Sequence, residues 1–228
     1  GICYFLWDKN YDNTKDFTNV FSYKNDLIPN IKKRSLKTKN SEIFIRHGIG
    51  VSIIEKVSGD LKFESLASYV SSAKAFGFRT YFIKDDRFRK KSNGLKEPIV
   101  CYGRSGLVGY VKKAEVVSHQ EWINVWKVYV AESNNIGTEL NDDNQNSFVG
   151  KPGTICTETY LVIGAELSLD NISSKNLSIY LRTKFARFMH SLSKISQHGT
   201  SKTYNFVPIQ NFNSDSDIDW NVSIKEID

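Results

Sequence analysis

Apolar residues along this chain fall first into short runs and only later into helical spacing. Ile2–Trp7 is aromatic and β-favouring and reads as a strand. Asp8–Asn13 forms a polar turn, and Asp16–Tyr23 is expected as the returning strand. Glu42–Ile45 and Val51–Ile54 read as short strands around Gly48 and Gly50. Asp60 can cap a helix running to about Ala75, with Leu61, Leu66, Tyr69, Val70 and Ala73 at helical spacing and Gly77 ending it. Phe78–Ile83, Ile99–Tyr102, Leu107–Val111, Ala114–Val117 and Trp126–Val130 supply further strands. Glu132–Ser147 is acidic, Asn-rich and poor in apolar residues, so it reads as a long loop, an insertion more than a domain boundary. Glu158–Gly164 is a strand, a helix follows over about Ser173–Ser196, and the acidic tail from Asn211 is peripheral. The sum is an α+β fold: a twisted, mostly antiparallel β-sheet region, one mid-chain helix and a long C-terminal amphipathic helix. It reads as a single domain over 1–228.

The late helix carries the strongest pattern. At 100° per residue Leu177, Leu181, Phe185, Phe188, Leu192 and Ile195 share one side. Lys175, Arg182, Arg187, His190 and Lys194 fall around the other. From Asn171 to Ser214 there is no Asp or Glu, so Lys175, Arg182, Lys184, Arg187, Lys194 and Lys202 have no local carboxylate. A core helix with a solvated basic back accounts for this pattern, and so does a surface that meets a polyanion. The loop that follows favours the second account. Gln197, His198, Thr200, Ser201, Lys202 and Tyr204 bring together the amides, hydroxyls and cations that donate to phosphate oxygens.

Composition adds a net charge of +6 and a pI of about 9.1, which suit an acidic partner without requiring one. Cys3, Cys101 and Cys156 show neither disulfide nor zinc spacing and point to a reducing cytoplasm. No apolar run reaches the roughly 20 residues of a membrane span. Met189 is the only methionine, so the chain reads as a piece of a longer polypeptide.

A second basic cluster lies mid-chain. Phe78–Lys113 holds ten Lys/Arg against three Asp/Glu. Arg87, Arg89, Lys90 and Lys91 fall in the charged turn Lys84–Gly94, where Phe88 among cations could enter a groove or the turn could simply be solvated. Arg79 and Arg104 stand alone between Gly and apolar residues, a setting for a paired or bidentate guanidinium. The basic loop Lys32–Asn40 is a weaker signal. Catalytic motifs are scarce. No Pro-Pro pair occurs, which excludes the Asn-Pro-Pro-Tyr type motif of adenine methyl transfer. Gly103–Gly109 lacks Walker spacing and reads as a hairpin turn. Asp60-Leu61-Lys62 matches a nuclease tripeptide but sits at an expected helix cap. The four histidines have no metal-ligand spacing, and Cys156 has no evident His partner. Trp122 and Tyr204 are the aromatics to weigh for base stacking against a core role.

Three segments, GICYFLWDKNY at the start, SLASYVSSAKAFGFRT, and TETYLVIG with YLRTKFARFMHSLSKISQHGTSKTYNFVPIQNF, resemble one family. It is the C-terminal region of bacterial adenine-N6 DNA methyltransferases of restriction–modification systems, including the TaqI-like specificity domain and its relatives in fused restriction–methylation enzymes. Residues 81–146 lie outside the likeness. The resemblance implies a target-recognition domain in the bacterial cytoplasm that binds double-stranded DNA and positions an adenine for an upstream methyltransferase domain of the same polypeptide. S-adenosylmethionine would bind that catalytic domain. This chain would hold no cofactor, metal or catalytic residue and would not touch a membrane. Residues shared by members that read different sites cannot read bases, so region 156–212 would be framework and about 78–147 the reading part. Arg87, Arg89, Lys90, Arg104 and Lys112 are then the base-reading candidates. Arg79, Arg182, Arg187, Lys194, His198, Ser201, Lys202 and Tyr204 are the phosphate candidates. A separate specificity subunit, an unrecognised nuclease and a non-nucleic-acid interaction domain remain open alternatives.

Overall fold

A computed structural model describes residues 4–12, 17–24, 27–36, 41, 43–45, 47–59, 63–134 and 146–228. Ile2, Cys3, the tripeptide Asp60-Leu61-Lys62, residues 37–40 and residues 135–145 lie outside the described residues. The chain divides into two compact units, Gly1–Phe63 and Glu64–Asp228. The stretch Glu132–Ser147, read from the sequence as an insertion more than a domain boundary, falls inside the second unit.

In the first unit β1 (Thr18–Lys24) pairs antiparallel with β2 (Leu27–Arg34), Val20 facing Lys32 and Phe21 facing Ile31, with a bulge between Ser22 and Lys24. Lys32–Arg34 is therefore strand, where the sequence suggested loop. Tyr4–Trp7 is not a strand; it has no regular structure and its four side chains are exposed. Val51–Ile54 is not a strand either, because it lies inside helix α1 (Gly48–Ser58). The segment is rich in β-branched residues, which favour strand locally. Burying Gly50 and Ile54 along one side outweighs that preference.

The second unit is built on two three-stranded sheets. In one, β3 (Pro98–Tyr102) and β4 (Val108–Lys112) form an antiparallel hairpin, and β3 also pairs parallel with β7 (Thr154–Cys156). In the other, β5 (Lys127–Ala131) lies between β6 (Phe148–Gly150) and β8 (Tyr160–Ile163), both antiparallel to it. The architecture is thus α+β with mostly antiparallel pairing. Ile99, Cys101, Val111, Tyr129, Ile155 and Val162 project into a shared core.

Local helical and strand patterns before β3 are overruled by contacts with these sheets. The expected mid-chain helix shrinks to a single 3-10 turn, Leu66–Tyr69, capped by Ser65, whose hydroxyl accepts the Ala67 N–H at 3.1 Å. Val70 and Ser71 turn away to meet β8, with Ser71 N–H on the Val162 carbonyl and Val162 N–H on the Ser71 hydroxyl. Phe78–Ile83 is not a strand; Thr80–Lys84 forms a 3-10 turn whose Phe82 is buried and stacks on Phe78 at 4.1 Å. The charged segment after it docks on the β3–β4 hairpin. Arg89 exchanges two main-chain hydrogen bonds with Tyr110, and Phe88 packs over Gly109, where an added Cβ would lie 2.5 Å from its ring. Gly103 likewise admits Ile83. Gly103 and Gly109 therefore serve close packing in a hairpin, Gly106 takes positive φ in its turn, and Phe88 turns inward. Ala114–Val117 does not continue the sheet; it passes through the 3-10 turn Lys113–Glu115.

The long C-terminal helix is two helices, α2 (Asn171–Arg182) and α3 (Lys184–Ser193). Asp170 caps α2 through the N–H groups of Ile172 and Ser173. Thr183 is extended (φ −61°, ψ 152°) and breaks the run. Its hydroxyl donates to the Tyr180 carbonyl at 2.7 Å and accepts the Ala186 N–H at 3.1 Å, closing one helix and starting the next. The break resets the helical phase. Ala186, Met189, His190 and Leu192 face inward, Phe185 and Phe188 are half-buried, and Ile195 is 86% exposed. The tail is not wholly peripheral, since Phe212 and Trp220 are buried against Tyr180. It ends in the short α4 (Ile224–Ile227). Among the described residues no helix is long and apolar enough to cross a membrane.

Candidate nucleic-acid interface

An open cleft of about 460 Å³ in the second unit is lined by Ala73, Thr80, Arg104, Ala131, Glu132, Ser133, Glu158, Thr159 and His198. Five separate segments deliver its polar groups. Arg104 stands in the turn between β3 and β4, where Ser105 and Gly106 take positive φ. Its guanidinium has no hydrogen-bond or ion-pair partner among the described residues. Glu158 precedes β8 and is fixed by its own N–H on the Phe78 carbonyl. Its Oε1 accepts the Thr80 N–H at 2.9 Å and the Thr80 hydroxyl at 3.3 Å, while Oε2 lies 3.5 Å from Arg79 Nη1. Glu132 follows β5 and meets His198 Nδ1 at 2.9 and 3.1 Å. Both carboxylates are 22% exposed, whereas Arg79 and His198 are more than half exposed.

The wall carrying Glu132 and His198 is held from behind by Lys194. Its ammonium is fully buried and donates to the carbonyls of Asn134 at 2.5 Å and Gln197 at 2.8 Å. Asn134 N–H bonds the Gln197 carbonyl and Gly199 N–H bonds the Glu132 carbonyl, so two distant loops are laced together. Burial lowers the Lys194 pKa to about 8, opposed in part by the negative charge of Glu132. Lys127 is a second buried lysine, with Nζ on the carbonyls of Trp122, Ile123 and Val125. Desolvation brings it too to about 8, opposed by Cys156.

Of the residues singled out in the sequence, Arg104 and His198 line the cleft and Arg79 joins them through Glu158. The others do not line it. Arg87 is held bidentately by Asp85 at 2.8 and 2.7 Å and lies over the Phe82 ring. Arg89, Lys90, Arg182 and Lys202 are exposed; Lys112, Arg187 and Ser201 are half-buried. Two phosphate candidates are corrected. Lys194 and Tyr204 are both fully buried and cannot reach a phosphate in this fold. Tyr204 stacks on His190 at 4.1 Å, and Trp122 has one face taken by His119 at 3.7 Å. His190, expected on the outward side of the helix, is also buried, with Nε2 2.9 Å from the Thr203 hydroxyl. Burial, then the nearby Lys194 charge, lowers its pKa to about 3.

Sequence reasoning missed Glu132, Glu158 and Thr80. Glu132 and Glu158 are ordinary polar residues in loops and Thr80 opens a 3-10 turn, and only the packing of distant segments places them together. Burial pushes the Cys101 thiol up to about 12 and Cys156 well above its usual value, so both are poor nucleophiles. Among the described residues no group of three or more His, Cys, Asp or Glu is placed to hold a metal ion. No protein-family description, curated protein or solved structure matches the chain.

Proposed function

We propose that this chain is a DNA-gripping target-recognition domain that holds a duplex while a separate S-adenosylmethionine-dependent domain methylates an adenine. The observation that carries the reading is the gathering of Arg79, Arg104 and His198, far apart in sequence, around one open cleft. Arg89, Lys90, Arg182 and Lys202 are exposed and contribute to the chain's net charge of +6, which favours an anionic partner. Phosphate contacts position a duplex, and an unpaired arginine such as Arg104 can read guanine bidentately. On this reading the chain contributes affinity and register, and bond chemistry belongs to the catalytic domain.

Fluorescence anisotropy with a labelled duplex tests the proposal. Two neutralised phosphates, one each at Arg79 and Arg104, give a slope of about −1.8 in log affinity against log salt. Affinity should therefore drop by roughly 12-fold between 50 and 200 mM salt. Binding that is absent at 50 mM, or indifferent to salt, would sink the proposal.

A further inference from the structure

The hairpin of β3 and β4 has two faces of opposite character. On one, Ile99, Cys101, Gly109 and Val111 are buried, and Phe88 closes over Gly109. The other carries Pro98, Val100 and Tyr102 from β3 and Val108, Tyr110 and Lys112 from β4, because side chains alternate along a strand. Residues of β5 and β6 cover one part of this second face, where Tyr102 packs on Tyr129 at 5.5 Å and on Phe148 at 5.1 Å. Toward β4 the face opens: Val100, Tyr110 and Lys112 are half-buried, and Pro98 and Val108 are exposed. Register then sets cations around Tyr110. Arg89 is its direct antiparallel partner through two main-chain hydrogen bonds, so both side chains leave the same face with Cβ atoms about 5 Å apart. Lys112 follows two residues along β4 on that face, and Val100 lies opposite Tyr110 on β3. Arg89 is exposed, and neither its guanidinium nor the Tyr110 hydroxyl has a hydrogen-bond or ion-pair partner among the described residues. The carboxylate of Glu115 is turned to the Lys112 main-chain N–H at 2.9 Å.

We infer that this shelf binds a single nucleic-acid strand, one base stacking on Tyr110 and the adjoining phosphates meeting Arg89 and Lys112. An aromatic ring beside two cations on an open sheet face supplies what such a strand requires, a π-surface for a base and positive charge for the backbone. A duplex keeps its bases paired and stacked on one another and cannot use the ring. The shelf shares no residue with the cleft lined by Arg104 and His198, so binding here is separable from the duplex grip.

The test measures binding of the full 228-residue chain at low salt to a labelled dT dodecamer, an abasic dodecamer with the same backbone, a duplex and a poly-glutamate peptide. Wild type should prefer dT over the abasic strand by about fivefold or more, the worth of one stacked base. Tyr110→Leu should abolish that preference and leave duplex affinity unchanged, whereas Tyr110→Phe should keep it. Arg89→Gln should weaken dT binding and flatten its salt slope by about 0.7. Being at an exposed position, it carries the test with the abasic comparison if Tyr110→Leu does not fold. Equal binding of dT and abasic strands, or a preference that survives Tyr110→Leu, would overturn the inference. So would a poly-glutamate peptide bound as tightly as dT, which would assign the shelf to an acidic protein partner. Salt-dependent duplex binding with no single-strand binding overturns the shelf and leaves the duplex grip standing. Single-strand binding with no duplex binding does the reverse.

Discussion

The buried ammonium of Lys194 donates to the main-chain carbonyl of Asn134, 60 residues away in sequence, and so ties the end of β5 to the loop that carries His198. A lysine that looks solvent-facing on a helical wheel is in fact an internal crosslink. The same ammonium also bonds the Gln197 carbonyl.

Lys194→Met should therefore loosen the cleft wall. Methionine fills the volume but removes two donor bonds. The lowered pKa shows that burial already opposes the lysine charge, which offsets part of the loss. The net destabilisation should be about 1–3 kcal/mol, read by urea unfolding. Because Glu132 and His198 lose their support, duplex affinity should fall as well, although Lys194 itself touches no solvent.

Acid should destabilise the second unit through His190. The folded pKa is about 3 against an ordinary value of 6.5, so between these limits the unfolded chain binds more protons than the folded one. The stabilisation is complete above pH 6.5 and is lost progressively as pH falls toward 3. Lowering the pH to 4.5 should remove on the order of 2–3 kcal/mol. A melting series across this range measures it. His190→Gln should begin less stable but show a flatter profile over the same window.

Gly109→Ala should destabilise by about 1–3 kcal/mol through overpacking, because the new methyl would sit 2.5 Å from the Phe88 ring. Phe88→Leu in the same chain should recover part of that loss. A thermal double-mutant cycle with non-zero coupling is the expected result, and strict additivity would show that Phe88 yields freely.

Asp85→Asn should strengthen DNA binding. Arg87 is clamped by this carboxylate, which its guanidinium and main-chain N–H hold at a pKa of about 2. Releasing Arg87 for one phosphate should steepen the salt slope by about 0.9 in anisotropy titrations. An unchanged slope would mean that Arg87 does not face the duplex.

Secondary structure was legible where one local signal dominated. The hairpin of β3 and β4 announced itself through two apolar runs around glycines, and β5 and β8 through dense β-branched runs. The elements at Leu66–Tyr69, Thr80–Lys84 and Gly48–Ser58 were not legible, because their local preferences are weak and contacts with sheets or buried faces decide them. Helical phase was read correctly through Leu177 and Leu181 and lost beyond Thr183. One extended residue redirects everything after it, and so Lys194 and His190 turned inward.

The sequence by itself determined the α+β class, the main hairpin and the acid-free basic block, and it singled out the polar residues Arg79, Arg104 and His198. Those follow from composition and from periodicities of two and 3.6, which are properties of neighbouring residues. Only the tertiary structure decided which cations are free. Arg87 meets Asp85, Lys194 meets two carbonyls, and Arg104 meets no described group, because whether a charge is paired depends on what the fold brings to it. Long-range packing likewise set Glu132 and Glu158 beside those cations, and with them the polarity that gives the cleft its chemistry.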